Sequence, residues 1–267
     1  MLRPAIAFIK TLTQFRYTLW VLARQEIRSR YAGSLLGGAW NLINPMVMVF
    51  IYWMIFSVGF KVAPAKDIPF LTWFFCAFVV WSTFSDGLSG SANSLIKNRN
   101  LITKTKFPSQ ILPLVPILSS LINSLILMGL LVGLMLLQGV PLSWYSFQAL
   151  YYLIGAGLLA LGAGWFFSAA SVLIKDLSPI LTVVLQLLFW ATPIFYQVDL
   201  FPAEYRKYFL LNPIYYLTEG FRGSFLYERY FWESGQQGLF FWGVVFFLLL
   251  FGGWFFKGVK NELADVI

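Results

Sequence analysis

The stretch FPSQILPLVPILSSLINSLILMGLLVGLMLLQGVPLSWYSFQALYYLIGAGLLALGAGWFFSAASVLI, residues 107–174, contains no Asp, Glu, Lys or Arg over 68 consecutive positions. One helix of that length would be about 100 Å long, whereas about 20 apolar residues suffice to cross a bilayer core of roughly 30 Å. The run must therefore be two crossings. Its break falls at Gln138-Gly139-Val140-Pro141, where glycine and proline punctuate a polar turn. Outward from this stretch the same pattern repeats, with uncharged runs of 30 residues between Arg30 and Lys61, 18 between Asp67 and Asp86, 22 between Asp176 and Asp199, and 23 between Glu233 and Lys257. Charged residues make up 11% of the 267 and hydrophobic ones 59%, against about 25% charged in a soluble domain. So few charges cannot coat a water-facing globule. A disordered chain and a disulfide scaffold are excluded with it.

The pattern predicts an all-α polytopic membrane protein with six transmembrane helices, at about 39–60, 69–89, 111–137, 148–174, 179–198 and 239–256. A barrel is excluded because its strands would alternate, and these runs are apolar all round. Backbone donors in hydrocarbon must be satisfied within their own segment, which requires helices. Orientation follows from the basic residues. Thirteen of the 19 Lys and Arg fall on the side holding the N-terminus, the 90–110 loop, the 175–178 turn and the tail. Both termini are thus expected in the cytoplasm. The formal charge of +8 reads as contact with anionic headgroups rather than with nucleic acid.

Residues 1–31 do not read as a cleavable signal, because the apolar stretch before Lys10 is too short. Phe8, Leu12, Phe15, Leu19 and Leu22 recur at helical spacing, with Lys10, Arg24 and Arg28 roughly opposite. That pattern predicts an N-terminal amphipathic helix in the headgroup plane. A helix packed on a cytoplasmic partner fits the same residues.

Much chemistry is missing. Without a histidine there is no His-based triad or imidazole relay. The single cysteine, Cys76, reads as a small buried hydrophobe. No glycine precedes a lysine, so a Walker loop is absent and ATP hydrolysis would have to come from another polypeptide. Asp86 is the one ionisable group within a predicted span, near its cytoplasmic end, and reads as a cap or a partner to a nearby lysine.

Three segments are more than spans. The basic loop 97–108 carries Asn98, Arg99, Lys104 and Lys106 around an apolar pair, Leu101 and Ile102. It reads either as plain positive-inside charge or as a short helix that docks into a soluble partner. The segment 193–238 contains 14 aromatic residues and is broken by Pro202 and Pro213. It is too apolar to lie free in water. It reads as an interface belt, or as short re-entrant helices forming a lid whose rings meet a passing sugar. Arg28-Ser29-Arg30-Tyr31, followed by glycines 33, 37 and 38, forms a basic hinge at headgroup depth, and arginine suits phosphate oxygens.

At these residues the sequence resembles the membrane subunits of ATP-binding-cassette exporters of lipid-linked polysaccharide, the O-antigen, capsule and teichoic-acid permeases. The matching residues are Arg28-x-Arg30-Tyr31-x-x-Ser34-x-Leu36-Gly37-x-x-Trp40 with Pro45, Lys106-Phe107-Pro108, Lys175-Asp176-Leu177, Thr192-Pro193-Ile194-Phe195-Tyr196, and Asn212-Pro213 with Glu219-x-x-Arg222. They occur in the family's order, although the family more often has arginine at the position of Lys175. The resemblance implies one permease domain over 1–267, working as a homodimer with two copies of a separate ATPase subunit that holds the ATP and magnesium. No cofactor is then expected in this chain, nor a catalytic site. It further implies an interface helix at 1–31, a coupling helix within 90–110, gate helices within 199–238, and a polymer on undecaprenyl diphosphate as cargo in the bacterial inner membrane.

On this reading Asn98, Arg99, Leu101, Ile102, Lys104 and Lys106 couple to the ATPase. Arg24, Arg28, Arg30 and Tyr31 receive the diphosphate. Phe195, Tyr196, Tyr215, Tyr216, Phe221 and Arg222 form the glycan path or outer gate. The alternatives are an exporter of another lipid-linked or amphipathic substrate, a passive channel, and a membrane-embedded transferase. For the last, Glu26, Asp86, Asp176, Glu262 and Asp265 are too thinly spread.

Overall fold

The computed structural model describes residues 8, 10–29, 33–61, 68–105 and 107–266, with side chains as far as 260. Among them there is no strand. Among the described residues, five helical segments are long and apolar enough to cross a membrane: Gly37–Gly59, Phe70–Lys97, Ser109–Leu137, Trp144–Leu173 and Phe231–Lys260. The chain is a multi-pass membrane protein.

The α-helices are α1 (Arg16–Ser29), α2 (Trp40–Trp53), α3 (Phe70–Lys97), α4 (Arg99–Lys104), α5 (Leu114–Leu137), α6 (Ala149–Leu173), α7 (Leu177–Ala191), α8 (Ala203–Phe209), α9 (Pro213–Arg222) and α10 (Gly235–Val266). Two of them form the centre. α3 packs on α5 and α6, and α6 packs on α10. Their span windows are 78% buried, against 6% for the segment containing α2. The cause is side-chain size. A Cβ on Gly90 would sit 2.5 Å from Pro116, and one on Gly164 would sit 2.8 Å from Ser91, so neither helix would tolerate it without moving. A Cβ on Gly162 would meet the backbone of Leu248 and Leu249 at 2.8 Å, and one on Gly252 would fall on the Gly162 carbonyl oxygen. Small residues let helix backbones approach where lipid supplies no hydrophobic drive between them. The GxxxG at Gly129 and Gly133, by contrast, faces open space within the chain.

Buried hydroxyls add short links between the helices. Thr83 and Ser124 share a hydrogen bond of 2.5 Å between α3 and α5, and the Ser91 hydroxyl donates to the Pro113 carbonyl at 2.6 Å. Trp165 Nε1 donates to the Gln110 carbonyl at 3.0 Å. Asn123 lines a crevice, and Gln186 is exposed on α7.

α1 lies across the end of α5. Leu19 and Ala23 are buried against Ile111 and Val115, with Phe8, Leu12, Phe15 and Leu22 packed around them. Phe8 meets Trp165 edge-on at 5.2 Å, and Phe15 meets Phe107 at 5.5 Å. The residues of the expected apolar stripe pack against the bundle's own end. Only Tyr17, Trp20 and Val21 remain as apolar exposure on this helix. A 2.6 Å ion pair joins Glu26 to Lys97 at the end of α3. The Lys97 side chain is half exposed, so Glu26→Gln is expected to cost no more than about 1 kcal/mol. A small fall in the melting temperature of the detergent-extracted protein would register it.

Candidate functional site

The most tightly built polar centre lies at the end of the molecule away from α1. Asn212 caps α9: its side-chain oxygen accepts from the Ile214 N–H at 3.0 Å, and its amide donates to the Thr192 hydroxyl at 2.9 Å. Pro213, with no N–H to satisfy, takes the first helical position. Gly220 allows α9 to lie on the ring of Tyr152, since a Cβ there would enter it.

This seating carries Arg222 inward until it is fully buried. Its Nε donates to the Trp73 carbonyl at 3.2 Å, one terminal nitrogen to the Pro193 carbonyl at 2.9 Å, and the other to the Ile194 carbonyl at 2.7 Å. Glu219, one turn earlier, supplies the counter-charge at 2.5 Å. The guanidinium also lies over the Trp73 ring, 3.5 Å from its centre, a favourable cation–π position. Trp73 Nε1 in turn donates to the Tyr227 hydroxyl at 3.0 Å. One cation thus ties α9, the start of α3 and the Pro193–Ile194 turn together. Burial, with the Glu219 carboxylate next in weight, pushes the Tyr215 hydroxyl up to about 12, so it remains a neutral donor.

The six residues expected along the glycan path or outer gate divide by burial. Phe195, Tyr216, Phe221 and Arg222 are sealed inside the chain and offer a passing molecule no surface in this conformation. The Tyr216 ring stacks on Phe241 at 5.0 Å, and its hydroxyl pairs with that of Tyr151 at 3.1 Å. Of the six, only Tyr196 and Tyr215 keep partial exposure.

At the opposite end, Asn98 separates α3 from α4, its amide donating to the Ser94 carbonyl at 2.8 Å. Leu101 and Ile102 are half-buried, rooted in a cluster with Leu95, Leu112, Ala169, Phe256 and Val259. The apolar pair seats α4 on its own bundle. Arg99 and Lys104 point into the open. Arg24 and Arg28 are exposed on α1. Lys106, Arg30 and Tyr31 lie outside the described residues.

Two hollows escaped the sequence reading. A crevice of about 290 Å³ between α2, α3 and α5 gathers Asn41, Asn44, Ser82, Ser85, Asp86 and Asn123. A cavity of about 530 Å³ opens beside α8 and α9, reaching Gln197, Asp199 and Arg229. The density of charges between Asp199 and Arg229 in an otherwise apolar chain was the available signal for the second.

Residues 17–226 match the family model described as ABC-2 type transporter. The O-antigen export system permease protein RfbA of Myxococcus xanthus is 28% identical over 227 residues, 84% of this chain and 86% of that one. A protein of the same name from Klebsiella pneumoniae is 27% identical over 252 residues, 93% and 94% of the two chains. The inner membrane transport permease YadH of Escherichia coli K12 is 26% identical over 198 residues, 70% and 75%. The matched residues run from α1 through the Arg222 centre, and on that extent the chain belongs to the ABC-2 type transporter family.

Proposed function

We propose that this chain is the channel-forming permease subunit of an ATP-driven exporter carrying undecaprenyl-diphosphate-linked polysaccharide, O-antigen first among the candidates, across the bacterial inner membrane. The observation that carries the reading is the near full-length similarity to two permeases named for O-antigen export. The geometry is consistent with it. A basic six-residue helix, α4, stands at one end, a folded aromatic segment closes the other, and α2 is left largely uncovered.

The working unit is a homodimer with two ATPase subunits that bring ATP and magnesium, and both termini are cytoplasmic. α7 adds a sixth crossing to the five long segments and is the fifth in chain order. Its 15 residues rise about 22 Å, and Thr192–Tyr196 completes the remaining depth. Arg99 and Lys104 meet the ATPase, while Leu101 and Ile102 carry its motion into the bundle. Arg24 and Arg28 receive the diphosphate. Asn98, Lys106, Arg30 and Tyr31 belong to the same two surfaces. The outer gate is the segment around Tyr196 and Tyr215.

A pull-down of the tagged chain from native membranes, followed by an ATPase assay of the eluate, tests this. A nucleotide-hydrolysing subunit should co-purify in equal amount. It should be lost in Arg99→Glu/Lys104→Glu, whose side chains are exposed and whose fold should survive. Isolation of the chain alone in several mild detergents would overturn the reading.

A further inference from the structure

The cavity beside α8 and α9 has a charge imbalance that its own residues do not resolve. Two carboxylates and three basic groups line it, with the Arg222 guanidinium directly behind. Each carboxylate is already matched. Arg206 donates to Asp199 twice, to its side chain at 2.9 Å and its carbonyl at 2.8 Å, and to the Phe201 carbonyl at 2.9 Å. Glu219 is taken by Arg222. Lys207 and Arg229 are left over. Among the described residues neither has an ion pair, and each lies only near a tyrosine ring, at 5.4 and 5.6 Å.

The backbone holds Arg229 in position. Its N–H donates to the Gly223 carbonyl at 3.1 Å, and its carbonyl accepts from Gln148 at 3.2 Å. The preceding residue, Glu228, sits in the left-handed region at φ 51°. Tyr215 and Gln197 add neutral donors to the same walls. Two uncompensated cations with several neutral donors suit a group carrying one to two negative charges on several oxygens. The volume, about 530 Å³, is that of a small-molecule site, typically about 300–1,000 Å³.

We propose that this cavity binds a phosphate group through Lys207 and Arg229, at the end of the molecule opposite Arg24 and Arg28. The phosphate can come from an anionic lipid headgroup or from a soluble phosphorylated molecule. The site goes beyond the export reading, and its test needs no transport.

Native mass spectrometry of the detergent-purified chain, titrated separately with phosphatidylglycerol, phosphatidylcholine and glycerol phosphate, reads it out. Wild type should hold one more phosphatidylglycerol or glycerol phosphate per chain than Lys207→Gln/Arg229→Gln. The affinity of that extra site should fall about tenfold or more in the variant, with phosphatidylcholine unaffected. Loss confined to phosphatidylglycerol assigns the headgroup, and loss of glycerol phosphate binding assigns a soluble source. Both side chains are exposed, so the ligand-free melting temperature should match wild type, and Lys207→Gln alone repeats the comparison if it does not. Equal binding of both phosphates by wild type and variants overturns the proposal.

Discussion

Arg222→Met is expected to remove most folded protein from a detergent extract, read as collapse of the monodisperse peak of a fluorescent fusion in size-exclusion chromatography. The substitution keeps much of the volume but deletes every donor. Three buried carbonyls, those of Trp73, Pro193 and Ile194, lose their partner at once. Glu219 also loses its counter-charge, although it is one-third exposed and can be hydrated in place. Breaking a buried charged centre from one side costs about 3–5 kcal/mol, a large share of the roughly 5–15 kcal/mol that holds a domain together. Arg222→Lys should rescue little, because a single ammonium cannot reach three carbonyls in the planar fork that Arg222 fills. Normal folding of Arg222→Met with a selective loss of transport would show that the arginine serves the substrate and is no strut.

Gly252→Ala should also be clearly destabilising, although it adds one methyl group. That methyl would land on the Gly162 carbonyl oxygen, and the reciprocal position at Gly162 faces the backbone of Leu248 and Leu249 at 2.8 Å. Main chain cannot swing aside as a side-chain tip can, so α6 and α10 must separate along their whole contact. Overpacking of this kind costs about 1–3 kcal/mol and occasionally more. Gly133→Ala is the matched control. Its methyl meets nothing within the chain, and the gain in helix propensity is up to about 1 kcal/mol. A melting temperature several degrees below wild type for Gly252→Ala, with Gly133→Ala at or above it, is the expected pair of results. Equal values would mean that the close crossing is not what holds α10 in place.

The helices were legible because charge marks their limits. Spans expected at 111–137 and 148–174 appear as Leu114–Leu137 and Ala149–Leu173. The span expected to end at 89 runs on to Lys97, because Gly87 and Gly90 pack against neighbours instead of breaking the helix. The one expected at 179–198 stops at Ala191, where Thr192 and Pro193 turn the chain. The last, expected at 239–256, spans Gly235–Val266, since hydropathy detects the membrane and not the helix that continues past it. Of the site, the Asn212-Pro213 cap could be read locally. The burial of Arg222 could not. Its acceptors lie 149, 29 and 28 positions away, and nothing in Glu219-x-x-Arg222 distinguishes a strut from a sugar contact. Likewise Leu101 and Ile102 look the same in sequence whether they face a partner or their own bundle.

The joint at Asn98 and the knot at Arg222 stand at opposite ends of one unbroken rod, α3, which is 28 residues and therefore about 42 Å long. Neither attachment leaves slack. α4 follows after a single residue, and the knot includes the Trp73 carbonyl within the rod's first turn. A tilt of roughly 5° about one end would sweep the other through about 4 Å over that length, more than the width of a water molecule. A small rotation at the α4 end would reach the far segment as a displacement of several ångströms. The rod would act as the pivot arm, and no chain of soft contacts would be needed to carry the motion.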